Sequence, residues 1–390
     1  MKIVIFAHPE FISSQSMPRY AGMLADGMKQ RGHEVSIWQP SPLFFNGRFP
    51  GSLKKWLGYI DQYIVFPLKT RRRIKQIAPD TIFIFADQAL GPWVPLVKNR
   101  LHVIHCHDFL AQRSALGEFP QNRVSFSGRL YQSYIRRGYR KGKNFISVSY
   151  KTKSDLHKFL NAVPSFSEVI YNGLNPRFNQ MDSVHARELL SQKLQIILSD
   201  GYILHVGGNQ WYKNRAGVIE IYGEFRKQIT SEIPLLLVGV KPSDEIKQAY
   251  MSSPYKEQIH FITEMDDIAL HYAYAGASVF LFPSFAEGFG WPIAEAMASG
   301  CPVITTNEMP MTEVAGSCAY FVPPRPVRNK KKEAEWSSAA ANIVVQVIQM
   351  DVSERQQIIQ TGLKNIERFN AVTVLNQIES AYKDLHNQKN

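Results

Sequence analysis

Short runs rich in Val, Ile and Phe alternate along the chain with longer stretches whose apolar residues recur every three or four positions. In the first half the runs are KIVIFA, HEVSIW, TIFIFA, LHVIHC and FISVS. Nearly continuous apolar runs belong to strands buried on both faces, and the longer period belongs to helices, so the alternation predicts a parallel sheet covered on both sides. One helix is expected over residues 17–31. It stops at Arg31-Gly32, a cation in the last turn followed by a glycine at C′. After Asn172-Gly173-Leu174-Asn175-Pro176, where Asn-Gly and Asn-Pro signal a turn, a second alternation begins: YILHVGG, IPLLLVG, IHFIT, SVFLFPS, CPVITT and AYFVPP. Two α/β domains of similar size are therefore expected, 1–175 and 176–371. Parallel sheets bind ligands outside the carboxyl ends of their strands, so a cleft where two such sheets meet is the expected site. Val372, Leu375, Ile378, Tyr382 and Leu385 predict an amphipathic helix over about 372–388, and periodicity leaves open whether it packs on its own domain or returns to the first.

Composition narrows the class. The 390 residues, 45% of them hydrophobic, can fill two cores. The three cysteines, Cys106, Cys301 and Cys318, are widely spaced and form no CxxC, which argues against a disulfide framework or thiolate zinc site and for a reducing, cytoplasmic setting. The first apolar run soon meets His8, Pro9 and Glu10, too early for a signal-peptide core. No run approaches the roughly 18 apolar residues of a membrane span, so a soluble or peripheral protein is expected. The net charge of +12 favours an anionic partner: nucleic acid, an acidic membrane or a phosphorylated substrate. Its clusters, Arg71–Arg73, Arg136-Arg137 with Arg140, Lys141 and Lys143, and Arg328 with Lys330–Lys332, read more readily as solvated faces than as binding sites.

Chemistry concentrates in PSFAEGFGWPIAEAMASGCPVITT, residues 283–306. A strand ends at Pro283-Ser284, a glycine-rich loop follows, and a helix is expected over about 292–299, with Pro292 in its first turn and Gly300 closing it. The start of that helix offers unpaired N–H groups and about half a positive charge, a site for a diphosphate, and Gly288 and Gly290 let it approach the backbone. Carboxylates repel phosphate, so Glu287 and Glu295 on either side fit the hydroxyls of a sugar nucleotide. Acidic residues also favour helix starts in their own right, and the pair alone leaves both readings open.

With its flanks, Glu287-x7-Glu295 resembles the signature of family 4 retaining glycosyltransferases, which have the GT-B fold of two Rossmann-like domains. VGGNQWYKN at 206–214 is similar to the family's first phosphate loop, LLLVG at 235–239 to its next strand, and HCHD at 105–108 to its acceptor-side loop. The resemblance implies that Glu287 contacts the transferred sugar, Glu295 the nucleotide ribose, and the amides of Phe289 and Gly290 the phosphates. Gly207, Gly208 and Asn209 would line the donor loop. Lys213 would neutralise the leaving diphosphate, a group that gains charge as the bond breaks. His107 resembles the family's donor-sugar histidine, whereas His102 and His105 read as core histidines. The family's arginine near that lysine is absent, its places being taken by Gly208 and Tyr212, and Arg215 is the candidate replacement. No Asp-x-Asp occurs, so no metal site and no cofactor beyond the nucleotide-diphosphate sugar co-substrate are expected.

The first domain would bind the acceptor. Asp87 and Gln88 follow a strand toward the expected cleft, Arg113 could meet an anion there, and Asp108 is expected to orient the loop. LKKWLGYIDQYIVFPLKTRRR, residues 53–73, sets aromatics beside cations, as for a lipid-linked acceptor or anionic membrane, or simply for a buried helix with a basic end. The expected activity is retaining transfer of a sugar to a glycan, lipid-linked or small-molecule hydroxyl in polysaccharide or glycoconjugate biosynthesis, by front-side attack in which the donor phosphate takes the acceptor proton. The alternatives are a GT-B-type sugar-nucleotide epimerase and a basic nucleic-acid or membrane-binding protein. No nucleic-acid motif accompanies the charge, so no nucleic-acid partner is expected.

Overall fold

The computed structural model of the protein describes residues 1–11, 16–47, 51–230 and 232–388. They divide into two units, Met1–Tyr171 with Val372–Asn390, and Asn172–Ala371.

The first unit is built on strands β1 (Lys2–Phe6), β2 (Glu34–Trp38), β3 (Ile82–Phe85), β4 (His102–Cys106), β5 (Asn144–Ser147) and β6 (Phe166–Val169). They form one parallel sheet in the order β2-β1-β3-β4-β5-β6, with Ile5 of β1 opposite Ile37 on one side and Ile84 on the other. Side chains alternate across the sheet. Ile3, Ile5 and Ile84 pack on one face with Tyr20, Leu24 and Met28 of helix Ser16–Gln30. Val4, Phe6, Phe83 and Phe85 pack on the other with Trp93, Ile135 and Tyr139. Both faces of β1 and β3 are buried, and for that reason KIVIF and IFIF are apolar runs. β6 was invisible to the apolar-run criterion because FSEV lies at the sheet edge and is only partly buried.

The terminal helix, Ala371–Asn387, joins this unit. Val374, Ile378, Tyr382 and Leu385 pack into the cluster that holds Leu24 and Met28. His33 Nε2 lies 2.8 Å from Glu379, and Arg31 donates to Asn376 Oδ1 at 2.7 Å. An amphipathic pattern says that an apolar face is covered and not by what, so the return of the chain became visible only in three dimensions.

The second unit contains β7 (Ile203–Val206), β8 (Leu235–Val238), β9 (Ile259–Ile262), β10 (Val279–Phe282), β11 (Val303–Thr306) and β12 (Tyr320–Val322), in the parallel order β12-β11-β10-β7-β8-β9. The chain enters and leaves this unit side by side, the Leu174 N–H donating to the Phe369 carbonyl at 2.7 Å. The two helices anticipated at 17–31 and 292–299 run Ser16–Gln30 and Trp291–Ala298, each displaced by one residue.

Both sheets contain a reversal. In the first, the chain steps outward from β1 to β2 and then returns past β1 to β3; in the second it runs β7, β8, β9 and returns past β7 to β10. Loops leaving the two strands at such a reversal diverge to opposite sides of the sheet and open a crevice at its carboxyl edge, where α/β sheets bind ligands. The loops concerned follow β1 and β3 in one unit, and β7 and β10 in the other.

Candidate functional site

In the second unit the loop after β7 is tied to its neighbours by its backbone. The Gly207 N–H donates to Val238 at 2.9 Å. Gly239 has φ +148°, and a Cβ there would lie 2.1 Å from the Gly207 carbonyl oxygen, so only glycine lets these two loop starts touch. Trp211–Lys213 make a single 3₁₀ turn, and Asn214, left-handed at φ 52°, donates its amide to the Pro283 carbonyl at 2.9 Å. The Phe285 N–H reaches the Tyr212 carbonyl at 2.8 Å. These ties across the reversal bring Lys213 Nζ to 2.8 Å from Glu287 Oε1, with side-chain exposures of only 13% and 8%. The ammonium also stands 4.9 Å from the Phe282 ring centre.

Helix Trp291–Ala298 starts beside this pair. Its N-cap is Gly290, at φ +105°, a conformation that other residues adopt only with strain. Phe289 is buried edge-on against Phe369, ring centres 5.2 Å apart, which anchors the glycine loop. Glu295, one turn into the helix, accepts from the Tyr274 hydroxyl at 2.9 Å; burial and then the neighbouring carboxylate push that phenol well above its ordinary range. The helix ends as a Schellman turn, with the Gly300 N–H on Met297 and the Cys301 N–H on Ala296.

Arg215 opens the helix after Lys213 and turns inward, 3% exposed. Its Nη1 donates to Asn209 Oδ1 at 2.6 Å and to the Val240 carbonyl at 3.0 Å, and burial lowers the guanidinium to about 10. It thereby joins Asn209 to the β8 loop, while its Nε and Nη2 have no hydrogen-bond partner among the described residues. His205, in the middle of β7, was not singled out by any motif. Its Nδ1 pairs with the Leu281 carbonyl at 2.9 Å, and burial pushes its pKa down to about 3.

The first unit gathers a different set. His107 is buried; its N–H donates to Gln88 Oε1 and its Nε2 lies 2.9 Å from the Ala86 carbonyl. Gln88 also donates to the Asp108 carbonyl, and Asp108 caps the following turn through the Leu110 N–H at 3.0 Å. Burial lowers the His107 pKa. His105 lies between Tyr20 at 2.7 Å and Tyr382 at 2.6 Å, its pKa pushed down by burial to about 3, and His102 pairs with the Arg100 carbonyl. Asp87 meets a residue that no sequence signal marked: His8 Nε2 lies 2.8 Å from Asp87 Oδ2. Burial raises the Asp87 carboxyl, but its bond to His8, the charges of His8 and His107 and the Ala89 amide outweigh that and leave it below the ordinary carboxylate range. Arg113 is engaged within its own unit, 2.7 Å from Glu118 and 3.6 Å from Asp155.

Residues 186–332 match the family model described as Glycosyl transferases group 1, and residues 17–178 that described as Glycosyltransferase Family 4. The chain thus carries two segments, each similar to a glycosyltransferase family. The group 1 segment contains Asn209, Lys213, Glu287 and Glu295; the family 4 segment contains Asp87, Gln88, His107 and Asp108, while His8 precedes it. Among curated relatives, the O-antigen chain mannosyltransferase B of Escherichia coli is 30% identical over 194 residues, 49% of this chain and 48% of the relative. The O-antigen chain mannosyltransferase RfbU of Salmonella typhimurium is 27% identical over 255 residues, 64% of this chain and 62% of the relative. The chain thus spans about half to three fifths of the length of these two relatives. Among solved structures, sucrose-phosphate synthase from Thermosynechococcus elongatus superposes with a TM-score of 0.74 at 16% identity, covering 98% of both chains. Anabaena HepE in complex with UDP-glucose gives 0.71 at 16% identity, covering 98% of this chain and 100% of the other. At such identities the likeness establishes the fold, which is GT-B.

Proposed function

We propose that the protein is a retaining, metal-independent glycosyltransferase of the Glu-x7-Glu type, which moves a sugar from a nucleotide-diphosphate sugar to a hydroxyl in polysaccharide or glycoconjugate synthesis. The observation that carries this reading is the Lys213–Glu287 pair, held at 2.8 Å at the reversal of the second sheet beside the start of helix Trp291–Ala298. Phosphate binds at the helix start and near Lys213, and Glu287 turns to the hydroxyls of the transferred sugar, releasing the ammonium to meet the charge that develops on the leaving diphosphate. Glu295 takes the ribose hydroxyls. Asn209, positioned by Arg215, and the amides of Phe289 and Gly290 complete the donor site. The 1–171 unit is assigned the acceptor, with His107 directed to the donor sugar. HepE has been captured with UDP-glucose, and several relatives are named mannosyltransferases, so glucose and mannose donors are the first to test.

The test is a thermal-shift panel of UDP-, GDP- and ADP-sugars on wild type and Glu295→Ala. One nucleotide should raise the wild-type melting point and lose most of that effect in the variant. No response to any nucleotide sugar, or turnover of donor without an acceptor as an epimerase would show, contradicts the proposal.

One observation favours a peripheral membrane contact as well. Helices Gly51–Ile60 and Phe66–Ile74, joined by a π-helical turn, leave Leu53, Trp56, Ile64 and Leu68 exposed, with Trp56 at 63%, among Lys54, Lys55, Lys69, Arg71 and Arg72. An apolar and cationic face of this kind suits an anionic lipid surface and a lipid-linked acceptor. Among the described residues no helix is long and apolar enough to cross a membrane. Cosedimentation with phosphatidylglycerol vesicles that is lost in Trp56→Ser with Leu68→Ser would support the contact; equal sedimentation of wild type and variant would remove it.

A further inference from the structure

The reversal of the first sheet carries a polar pair in the same topological place as Lys213–Glu287. His8 leaves β1 and Asp87 leaves β3, the two strands between which that sheet reverses, and they meet at 2.8 Å although 79 residues apart in sequence. Both are held. Pro9 after His8 disfavours helical backbone at His8, and Asp87 Oδ1 accepts the Ala89 N–H at 3.0 Å while Oδ2 faces the imidazole. An ionised carboxylate only accepts, so His8 donates from Nε2–H, and in the neutral ring its Nδ1 is then an acceptor. That nitrogen has no hydrogen-bond partner among the described residues, and the His8 side chain is 18% exposed at the sheet's carboxyl edge. The titratable groups that face His8 are Asp87 after β3 and His107 after β4.

We propose that the His8–Asp87 pair is the hydroxyl-binding site for the sugar acceptor: Asp87 fixes the imidazole tautomer, and Nδ1 of His8 receives a hydrogen bond from an acceptor hydroxyl. The inference rests on the transferase reading and gives its acceptor side a chemical class, a polyhydroxylated and uncharged group at this point. The pair binds the hydroxyl and takes no proton from it.

Long-range proton–nitrogen NMR of the full chain, with His8 assigned by the loss of its signals in His8→Gln, tests this without turnover. The probes are methyl α-mannoside, methyl α-glucoside and methyl β-galactoside. The wild type should show a bare Nδ1 and a protonated Nε2, at least one glycoside should shift the Nδ1 resonance more than Nε2, and Asp87→Asn should abolish the tautomer preference. A protonated Nδ1, or an Nδ1 indifferent to all three glycosides, overturns the proposal. Kinetics with octyl α-mannoside as acceptor and GDP-mannose as donor form the second arm. There His8→Gln should raise the acceptor KM about tenfold, as for one lost hydrogen bond, and leave the donor KM unchanged. An unchanged acceptor KM counts against His8, whereas a wild type that transfers from no nucleotide sugar counts against the transferase reading and leaves the NMR result to decide the site.

Discussion

The two units place a polar pair at the same point of the same kind of sheet and make it of different chemistry. In the second unit the pair is Lys213 with Glu287, an ammonium and a carboxylate 13% and 8% exposed; in the first it is His8 with Asp87, an imidazole and a carboxylate 18% and 10% exposed. A cation next to a helix start suits a leaving group that accumulates negative charge, and a carboxylate-oriented imidazole suits a neutral hydroxyl. The position follows from topology, because a reversal of strand order opens a crevice whatever the sequence. On the proposed reading, the side chains placed there decide which half of a transfer reaction each unit serves.

The contrast breaks most readily at the charged pair. Lys213→Ala and Glu287→Ala should each reduce transfer by about 10²–10³-fold in kcat, in a steady-state assay of nucleotide release with acceptor present. The same substitutions sharpen it in stability. Removing one partner of a buried ion pair strands the other charge at a cost of about 3–5 kcal/mol, whereas Lys213→Met with Glu287→Leu should recover most of that loss in denaturant unfolding. A double variant whose loss equals the sum of the two single losses would mean that the two side chains do not stabilise each other.

The units should respond alike to acid. His105 in the first and His205 in the second are both held neutral to about pH 3, below their unfolded value near 6.5. In that window the unfolded chain binds more protons, so stability falls as pH drops from about 6.5 toward 3, by up to about 1.4 kcal/mol per pH unit for each histidine. Unfolding followed from pH 7 to 4 should therefore flatten in His105→Gln and in His205→Gln, each by a similar amount; unchanged slopes would contradict the assigned burial effect. The smallest expected effect is that of metal removal. Excess EDTA should leave transfer within error of the untreated rate, and a loss restored by a divalent ion would end the metal-independent assignment.

Legibility in the sequence followed chain distance. Two α/β layers could be read because most of the strands are apolar runs, and the glycine loop with Glu287 and Glu295 because it is contiguous, with its turn chemistry at fixed offsets. The contact between Lys213 and Glu287 could not be read, since 74 residues separate them and Asn214, Tyr212 and Phe285 close the gap through backbone bonds. His8 escaped for the same reason: a lone histidine before a proline has no pattern, and it acquires a partner only when β3 returns beside β1. Arg215 could be named as a cation near Lys213, but its inward turn to Asn209 and Val240 depends on where its helix begins.

The most direct measurement is the anomeric configuration of the product. With an α-linked nucleotide sugar identified by the thermal-shift panel and an alkyl glycoside acceptor, proton NMR of the product formed by wild-type protein should show an α linkage, with no product from Glu287→Ala. A β-linked product, or equal product from wild type and Glu287→Ala, would contradict retaining transfer at the Lys213–Glu287 site.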